Sequence, residues 1–431
     1  MGAIFSSIKD EKPYMTELRR HFHQYPEAAF EEFRTAEKIG AELSAMGIPH
    51  KRVGETGVLG IIKGGKPGAA ASGNEKPGAA ASASDSGDKK PDAADPASDS
   101  GKGKIIVLRA DIDALRIQEE NDVPYRSKIS GFMHACGHDG HIASLLGAAK
   151  VLMAAKDSFS GEIRLVFQQA EESGGRAKLF IDAGALNGAG RAFGVHMMPD
   201  MDAGKIAILS GPVFAAIDHF IITVKGRSAH IATPQDGADA LYAACQIVSA
   251  FQALVTRGKP PLEPALIGVG KLAAGTAHNI IAEEAVLEGS LRTFNAELRG
   301  KLKDRMEELS ALVAAASGAK REIVWSDFSS VLVNDAEVRK EAAAIAASMA
   351  GPVITDHERL LGGDDFAEFL LAVPGAYAFI GCKDPAKPGA PLHNCRFDLD
   401  EDSLVYAAGM YAEYTAWYLA DSWESAALLR S

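Results

Sequence analysis

Three strand-length apolar runs alternating with helical sequence constrain this chain more than any other feature. Ile105–Ala110 precedes a helix-forming stretch at Ile142–Ala155. Ile163–Gln168 precedes another at Ala177–Ala183, and Ala192–His196 follows. A β-α-β succession of this kind predicts a mostly parallel sheet covered by helices. In such sheets ligands bind beyond the carboxyl ends of the strands. Here those ends carry Asp111 and Asp113, the pair Glu171-Glu172, and His196.

Between the first run and its helix lies His134-Ala-Cys-Gly-His-Asp-Gly-His141. Cys136 and His138 flank Gly137, whose backbone freedom lets both side chains aim at one point. Thiolate and imidazole ligate zinc and its borderline neighbours. An isolated Cys-Gly-His matches by chance. The acidic pair, His196 and a late His393 add enough donors for a hydrolytic metal centre. Adjacent glutamates are chemically distinct if one coordinates an ion and the other stays free to move a proton.

A chain of 431 residues predicts two domains, and 47% hydrophobic content is enough for large cores. A net charge of -12 with no basic patch excludes nucleic acid as a partner. No apolar run reaches the length of a membrane span, and residues 1–15 lack the features of a secretory signal. Gly2 and Ser6 fit the N-myristoylation pattern, but no polybasic patch follows to supply a second anchor. The four cysteines are scattered, which predicts free thiols and a cytoplasmic location.

Residues 66–104 are repetitive, with no Val, Ile, Leu, Met or aromatic residue. Such a segment cannot repay its ordering entropy by burial, so it is expected to be a flexible excursion between neighbouring strands. Amphipathic helices are expected at Thr16–Gln24 and Glu31–Met46. From Pro212 a second unit reads strand (Asp218–Lys225), helix (Gly237–Val255), strand (Ala265–Leu272), strand (Ala285–Phe294), helix (Ala296–Ala316), strand (Lys320–Trp325). This is the ferredoxin-like α+β order. The expected organisation is a catalytic α/β domain at 1–211 and 328–431, interrupted by a lid at 212–327. Linkers are expected near Ser210–Pro212 and Asp327–Ser330.

RADIDAL at 109–115, HACGHDGH at 134–141, QQAEESGGRAKLFIDAGAL at 168–186, GVHMMPD at 194–200 and RRHFHQYPE at 19–27 carry a resemblance. Together with the His393 region, they resemble the dinuclear metallo-aminoacylase/carboxypeptidase family. The match is closest to its amidohydrolase branch of hippurate hydrolases, indoleacetyl-amino-acid hydrolases and N-acyl-amino-acid amidohydrolases. It spans nearly the whole chain apart from the 66–104 segment.

The resemblance implies two divalent metal ions held by Cys136, His138, Glu172, His196 and His393, with Cys136 bridging. It implies Glu171 as general base and Asp111 as a carboxylate that orients a ligand. Arg109 stands where other branches carry a metal-binding His. From the lid, His230 would help hold the scissile carbonyl oxygen, and Asn279 and Arg292 would lie near the substrate carboxylate. The inserted unit would also serve dimerisation, giving a homodimer or higher homo-oligomer. The sequence departs from the branch at Ser173, Gln235, Ala282 and Gly363-Asp364-Asp365. Sulfur and imidazole favour zinc, whereas a carboxylate and open positions admit manganese, with cobalt or nickel also accommodated.

The expected reaction is hydrolysis of the amide of an N-acyl- or N-aryl-acyl-amino acid by metal-activated water. A dipeptidase or carboxypeptidase would need the same centre with a different pocket. An inactive binding protein would not need the full ligand set. A thiol hydrolase would use Cys136 as nucleophile and resist chelators.

Overall fold

The computed structural model describes residues 3–65 and 104–420, so the 66–104 segment, apart from Lys104, and Gly2 lie outside the described residues. Elements are numbered in chain order. Helices α1 (Ala3–Asp10), α2 (Lys12–Gln24) and α3 (Phe33–Ala45) lead into β1 (His50–Val53) and β2 (Gly57–Lys63). Next come β3 (Ile105–Asp111), α4 (His138–Ala154), β4 (Glu162–Gln168), α5 (Ala177–Asp182), β5 (Arg191–Asp202) and β6 (Ile206–Ala207). A ribbon strand β7 (Gly211–Phe214) leads to β8 (Ala216–Lys225), α6 (Ala240–Arg257), β9 (Ala265–Ala274), β10 (Glu284–Thr293), α7 (Ala296–Ala316) and β11 (Lys320–Ser329). The chain closes with β12 (Leu332–Asn334), α8 (Ala336–Ala350), α9 (Ala367–Ala372), β13 (Gly375–Lys383) and α10 (Ser403–Leu419).

Among the described residues, seven strands form the main sheet in the order β1-β2-β4-β3-β5-β13-β6. The central four, β4-β3-β5-β13, run parallel, and the outer strands pair antiparallel. One face is covered by α4 and α10, both buried on nearly every side. Their apolar residues pack with Leu108, Phe167 and Val195 into the larger core. Phe180, Phe366, Phe369 and Tyr377 fill the second face. A helix apolar all round needs cover on every side, and the packing of α10 and α2 against α4 supplies it.

The four-stranded sheet has order β11-β8-β10-β9, antiparallel throughout, with α6 and α7 on one face. This is the ferredoxin-like arrangement. It owns a separate core of Phe220, Phe251, Leu287, Leu302 and Met306.

Four local expectations are corrected. β2 and β3 are not neighbours, because β4 lies between them and pairs with both. The helix after the Cys-Gly-His turn starts at His138 rather than Ile142, so that histidine occupies its first turn. β5 does not end at His196 but runs on to Asp202, because it keeps its parallel pairing with β13. The expected linker stretches lie in or beside strands: Ser210–Pro212 runs into β7, which pairs with β12 (Leu332 opposite Phe214, Asn334 opposite Gly211), and residues 327–329 close β11.

Candidate metal centre

The site is assembled from three loop segments and one strand. Gly137 caps α4 with φ 88°, and a Cβ there would lie 3.0 Å from Met197 Cβ, so only glycine lets the Cys136–His138 turn sit against β5. Cys136 and His138 are buried, and Cys136 Sγ lies 3.5 Å from His196 Nε2. His138 Nδ1–H donates to the carbonyl of Asp113 at 2.9 Å. Its Nε2 is buried without a hydrogen-bond partner. His196 is oriented in the same way: Nδ1–H donates to the Met197 carbonyl at 2.8 Å, which frees Nε2. Imidazoles fixed through one nitrogen with the other free are what a metal site requires.

Glu171 and Glu172 form a short 3-10 turn after Ala170, a non-glycine residue held at φ 54°. Two buried carboxylates hold that turn. Glu32 accepts from the Ala170 N–H at 2.8 Å, and Asp113 accepts from the Glu171 and Glu172 N–H groups at 3.0 Å each. The result is that the neighbouring glutamates face different surroundings. Glu172 Oε1 approaches His393 Nε2 at 3.2 Å and His138 Nε2 at 3.9 Å. It makes no aligned hydrogen bond with either, which is the geometry of ligands facing a common point. His393, at φ 60° with its backbone N–H bonded to the Ala135 carbonyl, completes the group Cys136, Glu172, His393. A second group is Cys136, His138, His196, and Glu172 also lies with His138 and Glu171. In each group the ligand atoms fall within 4.8 Å of one another.

The electrostatics call for a cation. Burial, then Glu172, Glu171 and Asp111, push the Cys136 thiol well above its ordinary pKa. Burial opposes the His138 imidazolium, yet Asp111, Asp113 and Glu172 outweigh it and raise its pKa to about 10. Burial and its histidine neighbours hold His196 neutral. Burial, then Asp364, Glu172 and Asp365, raises the Glu171 carboxyl. Glu172 goes the other way, because His393 and His138 overcome its burial. This negative, sulfur- and nitrogen-bearing cluster fits a divalent ion, which would displace the proton from His138 and stabilise the Cys136 thiolate.

The sequence points to Asp111 as an orienting carboxylate but gives no role to His141, Asp364 or Asp365 in the supporting shell. His141 Nε2 accepts from the Met197 N–H at 2.9 Å, so its proton is on Nδ1 and is donated to Asp111 at 2.6 Å. His141 therefore orients Asp111 and has no free nitrogen for an ion. The other oxygen of Asp111 faces His138 Nε2 at 3.7 Å. Arg109 is fully buried and bonded to Asp111 at 2.7 Å, Asp364 at 3.1 Å and Asp365 at 3.3 Å. Asp365 also accepts from the Arg176 and Ala177 N–H groups at the start of α5. The signals for these residues were present in RADIDAL and Gly-Gly-Asp-Asp. Nothing in either motif told a buried charge network from solvated loop acids.

The three expected residues of the four-stranded unit are not part of this cluster. No hydrogen bond or ion pair joins His230, Asn279 or Arg292 to the cluster residues. His230 is exposed, and its Nδ1 accepts from the Ala232 N–H at 3.0 Å, which leaves the proton on an outward Nε2. Asn279 is exposed beside it, its carbonyl bonded to the Ile231 N–H. Arg292 is half-buried and donates to the Leu361 carbonyl at 2.8 Å.

The chain is similar to known proteins over most of its length. The profile of peptidase family M20/M25/M40 matches residues 107–416. The chain is 33% identical over 413 residues to thermostable carboxypeptidase 1 of Saccharolobus solfataricus, covering 94% of this chain and 96% of that one. It is 36% identical over 392 residues to the N-acetyl-L-cysteine deacetylase of Bacillus subtilis, covering 91% and 85%. Among solved structures, a dinuclear metal-binding peptidase of the M20 family from Bacillus subtilis superposes with a TM-score of 0.75 at 31% identity, covering 95% and 99%.

Proposed function

Because this chain belongs to peptidase family M20/M25/M40, metal-dependent hydrolases of amide bonds, we propose that it cleaves N-acyl- or N-aryl-acyl-amino acids. The observation that carries the reading is the cluster itself. Cys136, His138, Glu172, His196 and His393 bring their donor atoms together in groups whose members lie within 4.8 Å of one another, with the Glu171 carboxylate beside them. The five donors would hold two divalent ions, with Cys136 common to the two groups. Such ions supply Lewis-acid activation of the carbonyl and of water.

The chain's own residues would do the rest. Glu171, buried and uncoordinated, takes a proton from the attacking water and returns it to the departing amine. Asp113 fixes the turn that aims Glu171, and Asp111 with His141 steadies the neighbouring imidazole. His230, with an outward Nε2–H, is suited to donate to the developing oxyanion once the lid meets the site, within one subunit or across a homodimer. Asn279 and Arg292 would receive the substrate carboxylate. Arg292 would first release the Leu361 carbonyl.

Relatives named as a carboxypeptidase and as an N-acetyl-L-cysteine deacetylase support a dipeptide reading and an acyl-amino-acid reading respectively. A panel of N-acetyl-, N-benzoyl- and indoleacetyl-amino acids and dipeptides, assayed with Zn, Mn, Co and Ni, tests the choice. Acyl-amino acids should be turned over with the higher kcat/KM. Turnover of dipeptides alone would overturn the proposal. Chelation should abolish activity and metal should restore it. Full activity in metal-free protein would remove the ligand assignment.

A further inference from the structure

We propose that Arg19 is a positioning residue that locks the loop carrying His393 to the turn carrying Cys136 and His138, and so sets the affinity for one of the two ions. The inference rests on the ligand set proposed above. The two segments are more than 250 residues apart, and the second is anchored in the core by Phe397 and Leu399, four and six residues beyond His393. His393 is bonded to Ala135 through its backbone, but its side chain is 52% exposed and its backbone is left-handed. A loop ligand of this kind needs an external brace to keep its nitrogen at Glu172 and Cys136.

Arg19 supplies a bond to each side. It projects from α2 with no exposed surface and donates through Nε to Asp139 at 2.9 Å, the residue after His138. Through Nη2 it donates to Asp398 at 2.8 Å, five residues after His393. The third nitrogen faces Glu401 at 3.7 Å. Both ends are reinforced. Asp398 also accepts from the Tyr125 hydroxyl at 2.8 Å, and the Arg19 guanidinium lies over the Tyr125 ring. On the other side, His23 contacts Asp139 at 2.7 Å and Glu119 at 3.2 Å. Glu119 shares the Asn121 amide with the carbonyl of Phe397, within the same loop. A planar guanidinium bonds two carboxylates in fixed directions, which a lysine ammonium cannot reproduce. The adjacent Arg20–Glu401 pair is exposed on its arginine side and is expected to contribute little.

The test is zinc binding by the whole protein, measured by competition with a chromophoric chelator, together with the Tm of the metal-free form. Asp398→Ala removes the loop side of the brace and leaves Arg19 paired with Asp139, so the buried network keeps a charge balance and the chain folds. One of the two binding steps should weaken by about 10–100-fold, the usual effect of removing an outer partner of a ligand, while the other holds. Arg19→Lys should behave like Asp398→Ala, and Arg20→Ala like the wild type. Two unchanged steps in Asp398→Ala would overturn the proposal. So would a parallel weakening of both steps with a lower metal-free Tm, which marks a general structural role. An equal loss in Arg20→Ala would assign the effect to anchoring of the whole segment rather than to Arg19. If the wild type itself bound no zinc, the ligand set would fail, and that result is distinct from all of these.

Discussion

Replacing Glu171 with Gln separates proton transfer from every other role of the acidic pair. The side chain is 5% exposed, and an isosteric amide keeps its shape and volume. It also removes one of the four carboxylates crowded together as Glu171, Glu172, Asp364 and Asp365. The metal-free variant should therefore be no less stable than the wild type. Its backbone N–H remains bound by Asp113, which keeps the turn in place for Glu172. What is lost is the base. A positioned general acid–base group contributes roughly 10²–10⁴-fold. At about 1.36 kcal/mol per tenfold, that is about 2.7–5.4 kcal/mol of barrier.

Glu172→Gln should act differently. It removes the anion that lies near both His138 and His393, so it should lose metal. The assay pairs metal content of each purified variant with kcat at saturating metal on one acyl-amino acid. Glu171→Gln should retain wild-type metal with kcat down about 10²–10⁴-fold. The reasoning fails if Glu171→Gln releases metal and Glu172→Gln keeps it, which would exchange the roles of the pair.

Three further outcomes are expected. His230→Ala should lower kcat by roughly 10²-fold, as for losing one oxyanion donor, with unchanged metal content; a variant with normal kcat would remove His230 from the mechanism. Lys63 and Ile105 both pair with Glu162, on opposite sides of β4, so these strand residues flanking the 66–104 segment are about two strand spacings apart, roughly 10 Å. A turn of a few residues spans that distance, and the shortened protein should keep its kcat; a folded but inactive product would place the segment in the site. The third concerns His23, whose two nitrogens face Asp139 and Glu119, an arrangement only the imidazolium satisfies fully. Burial and Arg19 oppose its charge, but the two carboxylates win and its pKa is raised. Its stabilisation should be complete below the unfolded value of about 6.5 and fade as pH rises through the raised folded value. The Tm gap between wild type and His23→Gln in metal-free protein should narrow over that range; a gap that widens with pH would refute the sign.

The parts of the fold that repeat along the chain were readable from sequence. The apolar runs at Ile105, Ile163 and Ala192 became β3, β4 and β5, and the later β-α-β-β-α-β run became the four-stranded sheet. Pairing across distance was not readable. Nothing local shows that β4 lies between β2 and β3, or that β5 continues past His196 because β13, nearly two hundred residues later, pairs with it. The site divides in the same way. Cys136 and His138 announce themselves through the chemistry of a short motif. Asp113 and Asp365 act by accepting backbone N–H groups, a role that any loop aspartate can fill and that leaves no mark on the sequence.

The placement of charge explains why so many acids surround one small cluster. Burying a carboxylate is costly unless it is paired or fully hydrogen-bonded. Asp111, Asp113, Asp364 and Asp365 meet that condition through Arg109, His141 and backbone N–H groups. Glu172 Oε1 and His138 Nε2 do not meet it within the protein. The unsatisfied groups are adjacent, and the satisfied ones form the shell around them. A folded chain keeps such a core of unmet donors only where something outside the chain completes it. The protein is therefore expected to gain stability on loading, by an amount that grows with metal concentration. A Tm that rises with added zinc in the wild type, and rises less in Glu172→Gln, follows from that arrangement; a Tm indifferent to metal would mean that the shell, and not an ion, accounts for the charge at the centre.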